Sequence, residues 1–111
     1  MTYQHKGLAG GRWAKMSLAE QMTNIGSEVS RALNWRKKER KELSEKALYR
    51  ALELIDLTAS GTKKYSKLRE LFRVREALVD FFCGSNEFSS SENLWRKYFD
   101  HFNYLARRSH F

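Results

Sequence analysis

Clusters of positively charged side chains occur in separate stretches of this chain, and the rings of Trp13 and Tyr65 lie beside two of these clusters. Lysine and arginine neutralise phosphates, and exposed rings stack on unpaired bases. This combination is therefore typical of proteins that bind single-stranded or structured RNA. The alternative is a set of solvated helix ends without a partner. The candidate nucleic-acid-binding residues are Arg12, Trp13, Lys15, Lys63, Lys64, Lys67, Arg107 and Arg108.

The overall charge agrees with an anionic partner. The chain has 21 Lys and Arg against 13 Asp and Glu, a net charge of +8 and a pI near 9.8. This balance favours nucleic acid before a membrane surface, although surplus lysine that only keeps the protein in solution is the alternative. A second basic group consists of Arg36, Lys37, Lys38, Arg40 and Lys41.

One charged residue interrupts an apolar stripe. Arg75 falls in the middle of the apolar positions of the third helical pattern, between the directions of Leu68 and Phe82. A buried guanidinium must be paired, because an isolated buried charge is very costly. Glu28 and Asp56 flank neighbouring stripes, so either could form a buried ion pair with Arg75 that fixes helix register. The alternative is an anion-binding or interface arginine that is exposed in a groove.

Helices must position all of these side chains. The chain has no proline, a residue that costs about 3 kcal/mol inside a helix. Apolar residues recur at helical spacing in four segments, and Ser17 with Glu20 and Ser89 with Glu92 match the capping box. No alternating strand pattern competes. The predicted helices cover about 17–38, 42–58, 62–83 and 91–108.

Short connections between these helices predict an all-α fold, an up-down-up-down antiparallel four-helix bundle. Residues 1–16, with their glycines, predict a flexible extended arm, and residues 17–111 form a single domain. In this topology the beginnings of the first and third helices and the end of the fourth share one pole. The first basic group would gather there, and the second would lie at the opposite pole.

The apolar surface exceeds the needs of one core. The second and third helices carry apolar residues over about half of their circumference. Either these helices are central in the bundle, or a face is left over for self-association; the second interpretation is favoured and predicts a homo-oligomer. Ile25 and Phe72 are expected in the core. Cys83, the single cysteine, lies in an apolar run and is expected as a buried thiol.

Several functional classes find no support in the sequence. There is no glycine-rich phosphate loop, no metal-ligand spacing and no nucleophile elbow, so neither a metal site nor a cofactor is predicted. No stretch approaches the ~20 apolar residues of a membrane span, and no signal-peptide pattern opens the chain. We therefore expect a cytoplasmic protein without a membrane partner.

Much of the chain resembles a family of short, uncharacterised prokaryotic all-helical proteins of the four-helix-bundle type. The likeness rests on residues 11–13, 17–22, 25–29, 50–57 and 86–88. It implies a bacterial or archaeal cytoplasmic origin and transfers no catalytic residue.

A shorter pattern is similar to the arginine–histidine signature of HEPN ribonucleases, which are small helical bundles and often dimers. Arg96 and His101 stand with four residues between them. The resemblance implies that Arg96 would stabilise the scissile phosphate and that His101 would move a proton. On a regular helix, however, these two positions point about 140° apart, and Lys97 replaces the family's usual uncharged polar residue.

The sequence thus favours a non-enzymatic basic bundle that binds nucleic acid, RNA rather than DNA, or that serves as an accessory subunit of a nucleic-acid-processing complex. A protein-interaction adaptor without nucleic acid is the first alternative. A HEPN-type ribonuclease is the second.

Overall fold

The computed structural model describes residues 11–108, which fold as an all-α four-helix bundle without strands. A short 3-10 helix at Trp13–Lys15 precedes the bundle. No helix in this part of the chain is both long enough and apolar enough to cross a membrane. The helices are α1 (Leu18–Lys37), α2 (Lys41–Ser60), α3 (Tyr65–Cys83) and α4 (Glu92–Arg108).

Helix α1 begins at the predicted capping box. The backbone N–H of Glu20 donates to Ser17 Oγ at 3.1 Å, and the Ser17 N–H donates back to the Glu20 carboxylate at 3.3 Å. The second predicted box, at Ser89, is wrong. Ser89 adopts a positive φ of 54°, and Ser91 Oγ instead accepts from the Leu94 N–H at 3.1 Å. Since a cap residue must be extended, Ser91 rather than Ser89 opens α4.

The third helix begins three residues later than predicted. Thr62 does not open α3, because its hydroxyl donates to the Thr58 carbonyl at 2.6 Å and so closes α2. The chain then continues through residues 63–64 and turns into α3 at Tyr65. Lys63 and Lys64 consequently lie in the connection between the two helices.

Helix α1 lies between α2 and α4 and packs closely on both. On the α2 side, the buried Ser44 hydroxyl donates to the Ala32 carbonyl at 2.8 Å. On the α4 side, Gly26 faces Phe99 so closely that an added Cβ would stand 2.8 Å from the Phe99 Cβ. The Ser44 contact pairs the end of α1 with the beginning of α2. At the beginning of α4, Arg96 donates to Asn34 near the end of α1 at 2.9 Å, so α1 is antiparallel to both neighbours.

The core is built mainly by α1 and α2, and α3 contributes a narrower stripe. Ile25 is fully buried, as the sequence predicts. The expected core position of Phe72 is wrong, because half of its surface is exposed, and Cys83 is also exposed. The reason is that α3 turns only one edge of its wide apolar arc inward. The inward side chains of α3 are Leu71, Val74, Leu78 and Phe81.

We predict that Gly26→Ala destabilises the bundle, although alanine normally favours a helix over glycine by about 1 kcal/mol. The new methyl group would overlap Phe99 and push α4 away from α1. We expect a loss of about 1–3 kcal/mol in the free energy of unfolding, measured by urea denaturation.

Gly61→Ala is the matched control, since an added Cβ there meets only the Thr58 carbonyl oxygen at 3.9 Å. We expect this variant to change the unfolding free energy by less than about 0.5 kcal/mol. Equal effects of the two substitutions would contradict the close approach of α4 to Gly26.

Candidate nucleic-acid interface

The antiparallel order of the helices brings most of the first basic group to one end of the bundle. The beginnings of α1 and α3 share this end with the last residues of α2 and α4. We call the following exposed residues the basic end: Arg12, Lys15, Lys63, Lys64, Lys67, Arg107 and Arg108.

The charges of the basic end are free of ion pairs with described residues. The ion pairs within residues 11–108 involve other cations. The Tyr65 ring lies among the lysines and is 76% exposed. An anion that approaches this end therefore meets cations that have no competing carboxylate partner, together with an accessible ring.

Trp13 does not belong to this surface, contrary to the prediction from the sequence. Its side chain is 3% exposed, and the indole Nε1–H donates to Thr58 Oγ1 at 3.0 Å. The Gln21 side chain also donates to the Trp13 carbonyl at 2.9 Å. The indole ring is therefore a core residue and cannot stack on a base.

The predicted arm also requires correction from Gly11 onward. Residues 11–16 are docked on α2 by the buried Trp13 rather than extended into solvent. The rest of the predicted arm, residues 1–10, lies outside the described part of the chain.

The second basic group lies at the opposite end, and several of its cations already have partners. The Arg36 guanidinium lies 4.4 Å from the centre of the Phe81 ring. Lys38 Nζ and the Arg40 guanidinium lie 5.4 and 5.9 Å from the Trp35 ring. Lys37 forms an ion pair with Glu92 at 3.8 Å. Cation–π contacts of this kind hold the charges against the protein surface.

Trp35 is the ring that the sequence analysis missed. It directly precedes the basic run and could have been noticed as an aromatic neighbour of positive charge. It lies within the first predicted helix, and α1 includes it, since the helix ends at Lys37. Lys41 is exposed at the first position of α2.

Arg75 pairs with Asp56, one of its two expected partners, but the pair is not buried. Arg75 Nε donates to Asp56 Oδ1 at 2.9 Å and Nη2 donates to Oδ2 at 3.2 Å. The two side chains remain 38% and 45% exposed. The hydrogen bond to Asp56 raises the pKa of Arg75.

The other expected partner, Glu28, binds different arginines. Its carboxylate accepts from Arg31 at 2.9 Å and from Arg50 on α2 at 3.0 Å. This contact joins α1 to α2 and leaves Glu28 engaged away from α3. The predicted buried ion pair is therefore a half-exposed pair of Arg75 with Asp56 alone.

Arg96 and His101 do not converge on one site. Arg96 lines a groove of about 410 Å³ between α1 and α4, and His101 is not among the lining residues. The Arg96 guanidinium donates to Glu92 at 2.9 Å, to Ser30 at 3.0 Å and to Asn34 at 2.9 Å. His101 is exposed, with its ring edge-on to Phe102. Arg96 thus ties α4 to α1.

Little other chemistry is concentrated in the described residues. Residues 11–108 contain no group of three side chains that could hold a metal ion. Burial and the neighbouring Glu70 carboxylate raise the pKa of Tyr98, so its hydroxyl stays protonated. Comparisons with protein-family models, curated proteins and solved structures found no match to this chain. The exposed cations therefore define the candidate site.

We predict that Thr58→Val destabilises the protein, because it leaves the buried indole N–H of Trp13 without its acceptor. The side chains are similar in size, so the effect comes from the hydroxyl, which accepts from the indole and also donates to the Leu54 carbonyl at 2.9 Å. We expect a loss of about 1–3 kcal/mol in the free energy of unfolding. Thr62→Val is the control and should cost less, because the partly buried Thr62 hydroxyl also donates to a carbonyl, that of Thr58, but accepts from no indole. Equal stability of Thr58→Val and the parent would contradict the docking of Trp13.

The Glu92–Arg96 contact predicts a dependence of stability on pH. Hydrogen bonding to Arg96, followed by the charge of Lys37, lowers the pKa of Glu92 in the folded state. The resulting stabilisation is present above the unfolded glutamate pKa of about 4.3 and disappears as the pH falls through the lower folded value.

Thermal unfolding of the parent and of Glu92→Gln should therefore differ at pH 7 and converge under acidic conditions. Glu42→Gln is the control, because the Glu42 side chain is 85% exposed and its contact with Lys46 is long, at 3.9 Å. A difference for Glu92→Gln that persisted unchanged into strong acid would contradict the assignment.

Proposed function

We propose that this protein binds nucleic acid, with RNA preferred over DNA, and that the basic end contacts the phosphates. The observation that carries the proposal is the set of exposed cations at that end without ion-pair partners among the described residues. A protein gains affinity by releasing condensed counterions from phosphates, and unpaired lysines can do so without breaking an internal contact.

The preference for RNA follows from the exposed Tyr65 ring. A ring on a helix end can stack only on a base that is not already stacked in a duplex. Loops and single strands of RNA provide such bases. Because rings and phosphate contacts alone read no sequence, we infer binding with low sequence specificity.

The proposed role is non-enzymatic, either as a cytoplasmic RNA-binding protein or as an accessory subunit of a nucleic-acid-processing complex. Arg96 supports this choice, since its guanidinium is committed to Glu92, Ser30 and Asn34. A protein adaptor without nucleic acid and a HEPN-type ribonuclease remain the alternatives that the experiments below must separate.

We predict that replacing Lys63, Lys64 and Lys67 by Gln weakens binding to a labelled single-stranded RNA of mixed sequence. Fluorescence anisotropy over a range of salt concentrations should show log affinity falling linearly with log salt. Loss of these phosphate contacts should reduce that slope by roughly two to three units. The variant should keep its helical circular dichroism, because exposed charges contribute little to stability.

The matched control replaces Lys37, Lys38 and Lys41 by Gln at the opposite end. It removes the same charge, so an effect of net charge alone would weaken both variants equally. Weakening confined to the first variant supports contact at the basic end. Absence of binding by the parent at low salt would favour the adaptor. Cleavage of the RNA that is lost in His101→Ala would favour the ribonuclease.

A further inference from the structure

Helix α3 carries a second apolar stripe that the described helices leave mostly exposed. Within this stripe, Phe82 packs partly on the core and Arg75 pairs with Asp56 of α2. The buried residues of α3 are each followed directly by a member of this second stripe, namely Phe72, Arg75, Val79 and Phe82. Since successive residues of a helix point about 100° apart, the second stripe faces about 100° away from the core. Tyr65 is 76% exposed, Phe72 is 50% exposed and Val79 is 36% exposed. We call the following residues the outer stripe: Tyr65, Leu68, Phe72, Arg75, Val79 and Phe82.

The outer stripe has the spacing of a helix–helix seam. Its members are separated by steps of three and four residues in strict alternation over the whole length of α3. Such alternation keeps side chains on one face of a helix that packs against another helix. A solvent-facing surface needs no regular pattern of this kind.

The spacings between successive members are 3, 4, 3, 4 and 3 residues, and they read the same from either end of the helix. The stripe can therefore pair with a second copy of itself that runs in the opposite direction. When two copies of α3 pair antiparallel, with a two-fold axis between Arg73 and Val74, every member meets another member. Tyr65 then faces Phe82 of the second copy, and Leu68 faces Val79 of the second copy. At the centre, Phe72 faces Arg75 of the second copy. Self-complementarity is what a two-fold interface requires.

The charges beside the stripe favour the same arrangement. Arg69 and Glu76 are exposed and form no ion pair with a described residue. They lie beside the outer stripe, on the side away from the core. Antiparallel pairing therefore brings Arg69 of each copy next to Glu76 of the other copy, which gives two ion pairs. Parallel pairing would instead place Arg75 against Arg75 of the second copy, and this like-charge contact is unfavourable.

We propose that the outer stripe of α3 is a homodimer interface that binds a second copy of this chain in antiparallel orientation. The proposal goes beyond nucleic-acid binding and does not depend on it.

The Arg75–Asp56 pair suits the centre of this interface. Asp56 binds the guanidinium through Nε and Nη2, along one edge of the planar group. The flat face remains free for the Phe72 ring of the second copy, as a cation–π contact. Because Asp56 already balances the charge, dimerisation does not bury an unpaired cation. A polar residue at the centre of the seam also defines the register.

Sedimentation equilibrium of the 111-residue chain tests the interface. We expect a dimer whose dissociation constant rises about 30-fold or more in Phe72→Ala, as is typical of a central aromatic residue. Phe88→Ala is the matched control, because Phe88 is 60% exposed but lies in the connection between α3 and α4. Circular dichroism should show both variants folded, since Phe72 is outside the core. A parent that stays monomeric, or a dimer unaffected by Phe72→Ala, overturns the proposal.

Charge exchange tests the orientation. Arg69→Glu and Glu76→Arg should each weaken the dimer at least about tenfold by placing like charges together, and the double variant should recover most of the loss. The two residues are two helical turns apart in one chain, too far for a contact within the monomer. Recovery therefore has to come from the second copy. Absence of recovery contradicts antiparallel pairing.

Disulfide trapping in a Cys83→Ser background provides a geometric measurement. Leu68→Cys combined with Val79→Cys should give a covalent dimer on mild oxidation, because these positions face each other across the antiparallel seam. Within one chain they are about 16 Å apart along α3, so an internal disulfide cannot form. Leu68→Cys alone should remain uncrosslinked, whereas a parallel dimer would crosslink through this single position. That last result, or no covalent dimer in the double-cysteine variant, overturns the proposal.

Discussion

The close approach of α4 to α1 at Gly26 is the constraint on which the arrangement of the bundle depends. Glycine leaves room for Phe99 where any larger residue would meet it at less than 3 Å. Once α4 lies this near, the Arg96 guanidinium reaches Ser30 and Asn34 on α1. These contacts fix the direction of α4. The direction in turn carries the end of α4 to the end of the bundle where α1 and α3 begin, and so assembles the basic end.

The fold follows from local signals that require no knowledge of the tertiary structure. The capping box at Ser17 sets the start of α1, and the apolar spacing that includes Ile25 sets its buried face. Spacing, however, reports only that a face is apolar and not which part of it a neighbour covers. For this reason the spacing alone wrongly predicts Phe72 and Cys83 in the core. The half-exposed Arg75 has the same cause, because α3 turns a different edge of its arc inward.

The difference between the two basic groups was also hidden in the sequence, where both are runs of lysine and arginine. The two groups differ in whether their cations have partners, and these partners are residues that are distant in the sequence. Phe81 from α3 comes to lie under Arg36, and Glu92 from α4 pairs with Lys37. No comparable partner reaches the described residues of the basic end. Trp13 was likewise not distinguishable in the sequence from a surface ring. Thr58 on α2 supplies a buried acceptor for its indole N–H, so the ring lies in the core and not on the predicted surface.

Helix α3 links the two proposed surfaces, which share Tyr65 at its first position and otherwise use different parts of the helix. The basic end takes Lys67 and the residues just before the helix, whereas the outer stripe runs along its length. In an antiparallel dimer the two copies of α3 point in opposite directions, and the basic ends lie apart by about the length of the helix, roughly 30 Å. One copy's contacts with phosphate therefore leave the other copy's basic end free. The dimer would hold two separate strands, or two distant segments of one strand, rather than a single continuous track of phosphates.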